Sequence, residues 1–219
     1  MKEAVSVFRP NGDEEQYTFL YSYNENGTLH QFTNQTPDTT YINTYGYDGD
    51  RVISIESNIA QFVTFEYENN LISSRLYQSE TDIFTEEYIY NTSNQMIQVR
   101  QYFEDSLSCT HEYDYSSNNN IITIENECEI RNFEMEYNNI KNPQHLVHSQ
   151  PYTKAVGISP NLTSSQIITT NPVNNPVSVE STFTYETNEQ GYPTRSNSFV
   201  GDELRHTIVH TYETIEITD

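Results

Sequence analysis

The phrase YTFLYSYNENGTLHQFT, residues 17–33, recurs along the chain, and this recurrence most constrains what the chain can fold into. Each copy holds an alternating aromatic run, a tyrosine, a knot of turn residues and a second alternating run. Copies follow as TTYINTYGYDGDRVISIES (39–57), QFVTFEYENNLISSRLYQ (61–78), IFTEEYIYNTSNQMIQVRQY (83–102) and SCTHEYDYSSNNNIITIENE (108–127). IRNFEMEYNNIKNP (130–143) begins another, and STFTYETNEQGYPTRSNSF (181–199) is a late one. The tyrosines before the turns are Tyr23, Tyr47, Tyr67, Tyr90, Tyr115, Tyr137 and Tyr185. Their spacings are 24, 20, 23, 25, 22 and 48, the last read as two periods of 24. A period in the low twenties is one supersecondary unit that stacks on its neighbours.

The unit reads as a β-hairpin. Its turns, NENG, DGD, ENN, NTSNQ, SSNNN and NEQG, are built from Asn, Asp and Gly, which tolerate the positive φ of tight turns. An extra hairpin opens the chain, with AVSVF and EEQYTFLYSY flanking RPNGD. Within a strand the pleat sends alternate side chains to opposite faces. Residues 17–23 thereby place Tyr17, Phe19, Tyr21 and Tyr23 on one face, with Thr18 and Ser22 opposite. Tyrosine suits such a sheet, because its ring can be buried while its hydroxyl reaches a partner. Independent strands that merely share composition are the alternative.

The repeat breaks once. Residues 142–181 hold Pro143, Pro151, Pro160, Pro172 and Pro176, five of the chain's eight prolines. Proline donates nothing to a strand ladder, so this stretch reads as an irregular insertion between hairpins. It is expected to contain one helical turn in SPNLTSSQII, with Ser159 as cap and Pro160 at the first helical position. Long ordered loops are often functional, so a specific site is sought here first.

The totals narrow the class. A chain of 219 residues with a formal charge of −22 and only three lysines (Lys2, Lys141, Lys154) cannot assemble a basic patch, which excludes nucleic acid as a partner. With 18 Tyr and 10 Phe, the composition is not that of a disordered chain. No run approaches the apolar length of a membrane-spanning helix. The start, MKEAVSVF, lacks a basic stretch followed by an apolar one, so no signal peptide is visible there.

Cys109 and Cys128 are the two cysteines. Their positions sum to 237, as do Tyr113 with Ile124 and Tyr115 with Ile122 across the turn 116–121. A register pairing Tyr115 with Ile122 therefore sets the cysteines opposite each other, within reach of a disulfide. Two buried free thiols are the alternative, but the register favours the bridge. A disulfide implies an oxidising compartment, periplasm or cell exterior, and without Cys-x-x-Cys spacing it is structural.

Catalytic and ligating motifs are missing. His206 and His210 lie on an alternating, β-branched strand, His145 and His148 flank two apolar residues, and neither pair has a third ligand at metalloenzyme spacing. Asp48 and Asp50 in YDGDR lack the further oxygen ligands of a calcium loop. No nucleophile elbow or phosphate loop occurs, so no catalytic residue, metal or cofactor is assigned. Asn-x-Ser/Thr triplets at Asn26, Asn34, Asn91 and Asn161 are expected by chance in so Asn-rich a chain.

Phrases such as YSYNENGTL (21–29) and TYGYDGDRV (44–52) resemble the tyrosine–aspartate (YD) repeats of bacterial RHS-type surface and toxin-shell proteins. NIKNP (139–143) and FTYETNEQGYPTR (183–195) are similar to uncharacterised repeat domains of gut-bacterial cell-surface lipoproteins. Full YD repeats carry Gly in nearly every turn, whereas ENN and SSNNN lack it. The resemblance implies export, a lipid anchor upstream and no known activity, and it gives no catalytic residues to carry over.

The expected fold is all-β, a single domain over residues 1–219. It is an antiparallel meander of consecutive hairpin repeats, YD-repeat-like, in a strongly twisted sheet that curls into a half-barrel or sandwich. The expected function is a non-enzymatic, exported surface module, structural or binding a glycan or another cell-surface protein. A carboxylate-dependent glycan hydrolase would instead show two facing acids in a deep cleft, and an RHS-like shell fragment a hollow interior lined by polar residues.

Overall fold

The computed structural model describes residues 2–126, 128, 131–147, 150–155, 158–170 and 176–213. Its strands run β1 (Lys2–Phe8), β2 (Glu14–Tyr23), β3 (Leu29–Gln35), β4 (Thr40–Asp48), β5 (Arg51–Ser57), β6 (Gln61–Glu68), β7 (Leu71–Gln78) and β8 (Ile83–Tyr90). They continue β9 (Met96–Phe103), β10 (Ser106–Tyr115), β11 (Ile121–Asn126), β12 (Arg131–Lys141), β13 (Asn161–Thr170), β14 (Val177–Thr187), β15 (Pro193–Val200) and β16 (Glu203–Glu213). Between β12 and β13 lie two short helices, α1 (Pro143–Val147) and α2 (Gln150–Ala155).

The fold is the expected all-β meander, and it closes. Each strand pairs antiparallel with its chain neighbours, and β16 pairs with β1 from Lys2↔Glu213 to Phe8↔Thr207. The expected half-barrel or sandwich would have left two unpaired edges. Here the first and last strands satisfy each other, and the edges vanish.

Five loops repeat one conformation: 9–13, 24–28, 91–95, 116–120 and 188–192. In each, the first residue's N–H donates to the fifth carbonyl, and the fourth N–H donates to the first carbonyl. The fourth position is left-handed, at φ 91° for Gly12, 82° for Gly27, 59° for Asn94, 62° for Asn119 and 83° for Gly191. Asn stands in for Gly because its side chain tolerates this region. That explains how turns lacking Gly still keep the repeat, as does Asn69–Asn70, at φ 51° and 65°.

The hairpins of Tyr23, Tyr47, Tyr67, Tyr90 and Tyr115 each carry a bulge beside that tyrosine, and in the hairpin of Tyr185 it falls between Glu186 and Thr187. Gly46 faces Ser54 but Tyr47 faces Val52, and Glu66 faces Ser74 but Tyr67 faces Ile72. The bulge moves the strict two-step alternation out of phase, so inward residues on the second strand fall three apart: Val52 and Ile55, Met96 and Val99. It also corrects the expected register: Tyr115 pairs with Ile121, not Ile122, while Tyr113 still faces Ile124.

The bulge serves the tyrosines. Tyr67 donates its hydroxyl proton to the Val52 carbonyl at 2.7 Å, Tyr90 to Ile72 at 2.9 Å and Tyr115 to Met96 at 2.8 Å. Tyr185 reaches Thr163 and Tyr212 reaches Pro193, both at 2.9 Å. Each hydroxyl thus ties its hairpin to a residue within the first three of the second strand of the hairpin before. Of these residues Val52 and Ile72 are fully enclosed and Met96 nearly so. Tyr90→Phe is expected to cost about 1–2 kcal/mol by stranding the Ile72 carbonyl. Calorimetry should show a fall in Tm of roughly 3–6 °C, with exposed Tyr41→Phe unchanged.

Cys109 and Cys128 are disulfide-bonded, with Cα atoms 5.4 Å apart. Beyond the bulge the register Tyr113↔Ile124, His111↔Asn126 carries the pairing toward them. The bridge spans 19 residues, a loop whose closure stabilises by about 3 kcal/mol in the chain-entropy account. A Cys109→Ser, Cys128→Ser double variant is expected to melt about 6–10 °C lower; an unchanged Tm would deny the bridge a structural role.

The proline-rich stretch departs from expectation. Asn161–Thr170 and Val177–Thr187 are full strands, so among the described residues the insertion lies between β12 and β13 and does not reach 181. The prolines bracket elements instead of interrupting them: Pro143 opens α1, Pro151 lies in the first turn of α2, and Pro176 precedes β14. Pro172 lies outside the described residues. Ser159 caps no helix. It donates to the Tyr137 hydroxyl at 3.0 Å and accepts the Ile121 N–H at 3.0 Å. The 48-residue interval between Tyr137 and Tyr185 is therefore one period enlarged by the insertion, and Tyr212 adds a further rung.

The two faces of the wall differ in kind. Inward residues build one aromatic and aliphatic cluster that includes Tyr21, Leu29, Tyr45, Phe65, Ile72 and Tyr88. The opposite face exposes Glu56, Glu66, Glu87, Glu112, Asp114, Glu134 and Glu136, with Phe62, Leu76 and Ile83 scattered among them. A membrane-spanning barrel instead carries an outward apolar band.

Candidate functional site

The lumen is unevenly filled, because the described residues between β12 and β13 fold into it from the tyrosine-bearing end. Its base is closed by Asn142, whose N–H donates to the Pro160 carbonyl at 2.9 Å and whose amide donates to the Ser159 carbonyl at 3.1 Å. Asn120 and Asn161 lock it sideways, the Asn161 N–H donating to Asn120 Oδ1 at 3.1 Å. From α2, Ala155 and the fully buried Thr153 lie in the interior. Tyr152 meets Phe65 edge-on at 5.7 Å and Tyr45 at 6.3 Å between ring centroids.

Around this plug sits a polar cluster. Arg75 and Glu86 are register partners on β7 and β8, bridged at 2.7 Å, and Tyr88 donates to the same carboxylate at 2.7 Å. Burial opposes the Arg75 charge, but Tyr88 and Glu86 more than offset it and raise its pKa. Burial also pushes the Tyr45 and Tyr88 phenols up. These groups hold the plug to the β4–β8 wall, an arrangement for fixing an element in place.

On the side where β16 meets β1 and β2, the lumen stays open as a chamber of about 580 Å³. Its wall is Val5, Val7, Tyr17, Phe19 and Ile208, and Gln144 of α1 reaches it from the plug. His206 and His210 line it too, on the strand read from the sequence and sharing a face as their spacing required. At the rim, Arg9 bridges Glu15 at 2.8 Å, Tyr17 donates to Glu15 at 2.5 Å, and Arg205 bridges Glu203 at 3.2 Å. Asn34 borders the chamber with its Oδ1 buried and without a hydrogen-bond partner.

The remaining sequence candidates do not converge. His145 lies beside the loops of β8–β9 and β10–β11, where burial lowers its pKa, and His148 is outside the described residues. Asp48 and Asp50 stay at the β4–β5 turn. No group of metal-holding side chains occurs among the described residues. Of the acids, only Glu15 borders the open chamber among the described lining residues, so the facing carboxylates of a hydrolase cleft are not seen there. Nor does the aromatic interior match the polar lining of a shell fragment. The sequence marks Asn34 only as a chance Asn-x-Ser/Thr triplet and does not single out Arg75 or Glu86, since only strand alternation hints at their inward direction.

No protein-family model matches the chain, and no curated protein matches it. Among solved structures, a porin-like protein from Bacteroides uniformis is similar at TM-score 0.66 and 15% identity, over 97% of each chain. A porin-like protein from Bacteroides vulgatus aligns over 97% of this chain and 98% of its own, at 14% identity and TM-score 0.40. The B. uniformis likeness extends over the whole barrel, and what it shows is the fold.

Proposed function

We propose that this chain is a non-enzymatic bacterial surface protein, a ligand-binding barrel whose outer wall faces water. The carrying observation is its polarity: carboxylates are spread over the outside, while aromatic rings and a tied-in plug occupy the inside. A conducting pore across a bilayer needs a continuous apolar belt and a lumen open from end to end; here carboxylates interrupt the exposed Phe62, Leu76 and Ile83, and α2 fills part of the lumen. The B. uniformis structure, described as porin-like, has its counterpart here in barrel architecture, and the disulfide suits an oxidising location outside the cytoplasm. The open chamber supplies the binding function, with a glycan or a segment of another cell-surface protein as ligand. Antibody labelling of intact cells of the encoding bacterium should stain the surface, and the purified barrel should remain monodisperse without detergent. Staining only after lysis would reject the location. Turnover of a glycan panel, abolished by one Asp or Glu change, would reject the non-enzymatic reading.

A further inference from the structure

The chamber beside the β16–β1 closure has a volume of about 580 Å³, in the range of small-molecule sites, which are mostly apolar with a few placed polar groups. Its most informative atom is Asn34 Oδ1, buried without a partner. A buried acceptor left unpaired costs free energy that a donor from a ligand would recover. Tyr17 and Phe19 offer ring surface next to it, and Gln144 and His206 stand around the same space. The two arginines at the rim are already neutralised by Glu15 and Glu203. In a chain of net charge −22, neither arginine among the described lining residues is free to pair with an anionic ligand.

A ligand that suits all of these is neutral, carries hydroxyl donors around its edge and has an apolar face for the rings. We propose that the chamber binds a neutral mono- or disaccharide, with a sugar hydroxyl donating to Asn34 Oδ1 and a ring face resting on Tyr17 and Phe19. This deepens the binding role proposed above and rests on it.

Calorimetric titration and saturation-transfer NMR with maltose, cellobiose and lactose test it, with decanoate as an amphiphilic anion for comparison. At least one sugar should bind. Asn34→Leu should weaken it about tenfold, the value of one good hydrogen bond, and Ile208→Trp should abolish it by putting an indole ring where the sugar would lie. Ile83→Ser, on the exposed outer wall, should change nothing. Asn34→Leu should also melt no lower than the parent, since it removes an unpaired acceptor; Asn34→Gln, which keeps the amide, serves as the second variant. Sugar binding insensitive to both chamber variants would overturn this site while leaving a binding module. Decanoate bound in place of sugar and expelled by Ile208→Trp would overturn the saccharide and likewise keep the module. No binding by any probe would overturn the chamber as a site, with surface location still decided by cell labelling.

Discussion

Raising the pH from 10 to 12 is expected to unfold the barrel cooperatively. Burial first, with neighbouring tyrosines adding to it in Tyr47, pushes the Tyr47 and Tyr185 phenols up to about 12. Burial likewise lifts Tyr67 and Tyr113 to about 12 against the pull of nearby arginines. Tyr90 and Tyr115 are raised further by the same cause. In the unfolded chain these groups titrate near 10. Between the two values the unfolded state holds fewer protons than the fold, so stability falls as pH rises. The contribution is complete below pH 10 and disappears as pH passes through the folded values. A two-unit shift corresponds to about 2.7 kcal/mol at full burial, and partial exposure reduces each tyrosine's share. Several such groups acting together still rival the 5–15 kcal/mol of an ordinary domain. Phenolate absorbance at 295 nm and far-UV circular dichroism should therefore change in one coincident step above pH 10. A gradual phenolate rise centred on pH 10, with dichroism unaltered, would mean that the tyrosines are not held inside.

Tyr152→Ala is expected to destabilise by about 3–5 kcal/mol, the usual cost of deleting a buried aromatic ring. The ring stands edge-on to Phe65 and Tyr45, and its hydroxyl shares a hydrogen bond with Tyr45. Its removal opens a void between α2 and the wall that short, tethered α2 cannot close. Melting should fall by roughly 8–15 °C. Hydrogen exchange should rise in β4, β6 and β7 before it rises in β14 and β15, which lie away from the plug. Tyr152→Phe keeps the ring and should lose only about 1 kcal/mol. If the alanine variant melted like the parent, the plug would be an ornament on a barrel that stands without it.

Much of the barrel was legible because a hairpin is a local object. Tyr23, Tyr47, Tyr67, Tyr90 and Tyr115 lie at or next to the ends of first strands, and turn chemistry beside them predicts the reversals. The cysteine register was legible for the same reason, since pairing within one hairpin follows from counting. The bulge was not: no residue type marks Ile53 or Ile97 as the extra one, and the slip shows only once Tyr67 is seen reaching the Val52 carbonyl. The helices of 142–160 were misplaced because Ser159–Pro160 has the local form of a helix start, while the actual partners of Ser159 lie on Ile121 and Tyr137, far off in the chain. The chamber was illegible in the same way. Val5, Tyr17, Asn34 and His206 share a space only because the chain ends meet.

By itself, then, the sequence determined the repeating unit, its strands and turns, the tyrosine-bearing face, the disulfide and the anionic character. Those depend on side-chain alternation and turn preference over some twenty residues. Tertiary structure decided that β16 closes on β1, that the insertion turns inward, and that a lumenal chamber remains at the closure. Each of these sets residues of distant chain position side by side, and no local propensity encodes which distant partner satisfies an edge, a carbonyl or a cavity wall.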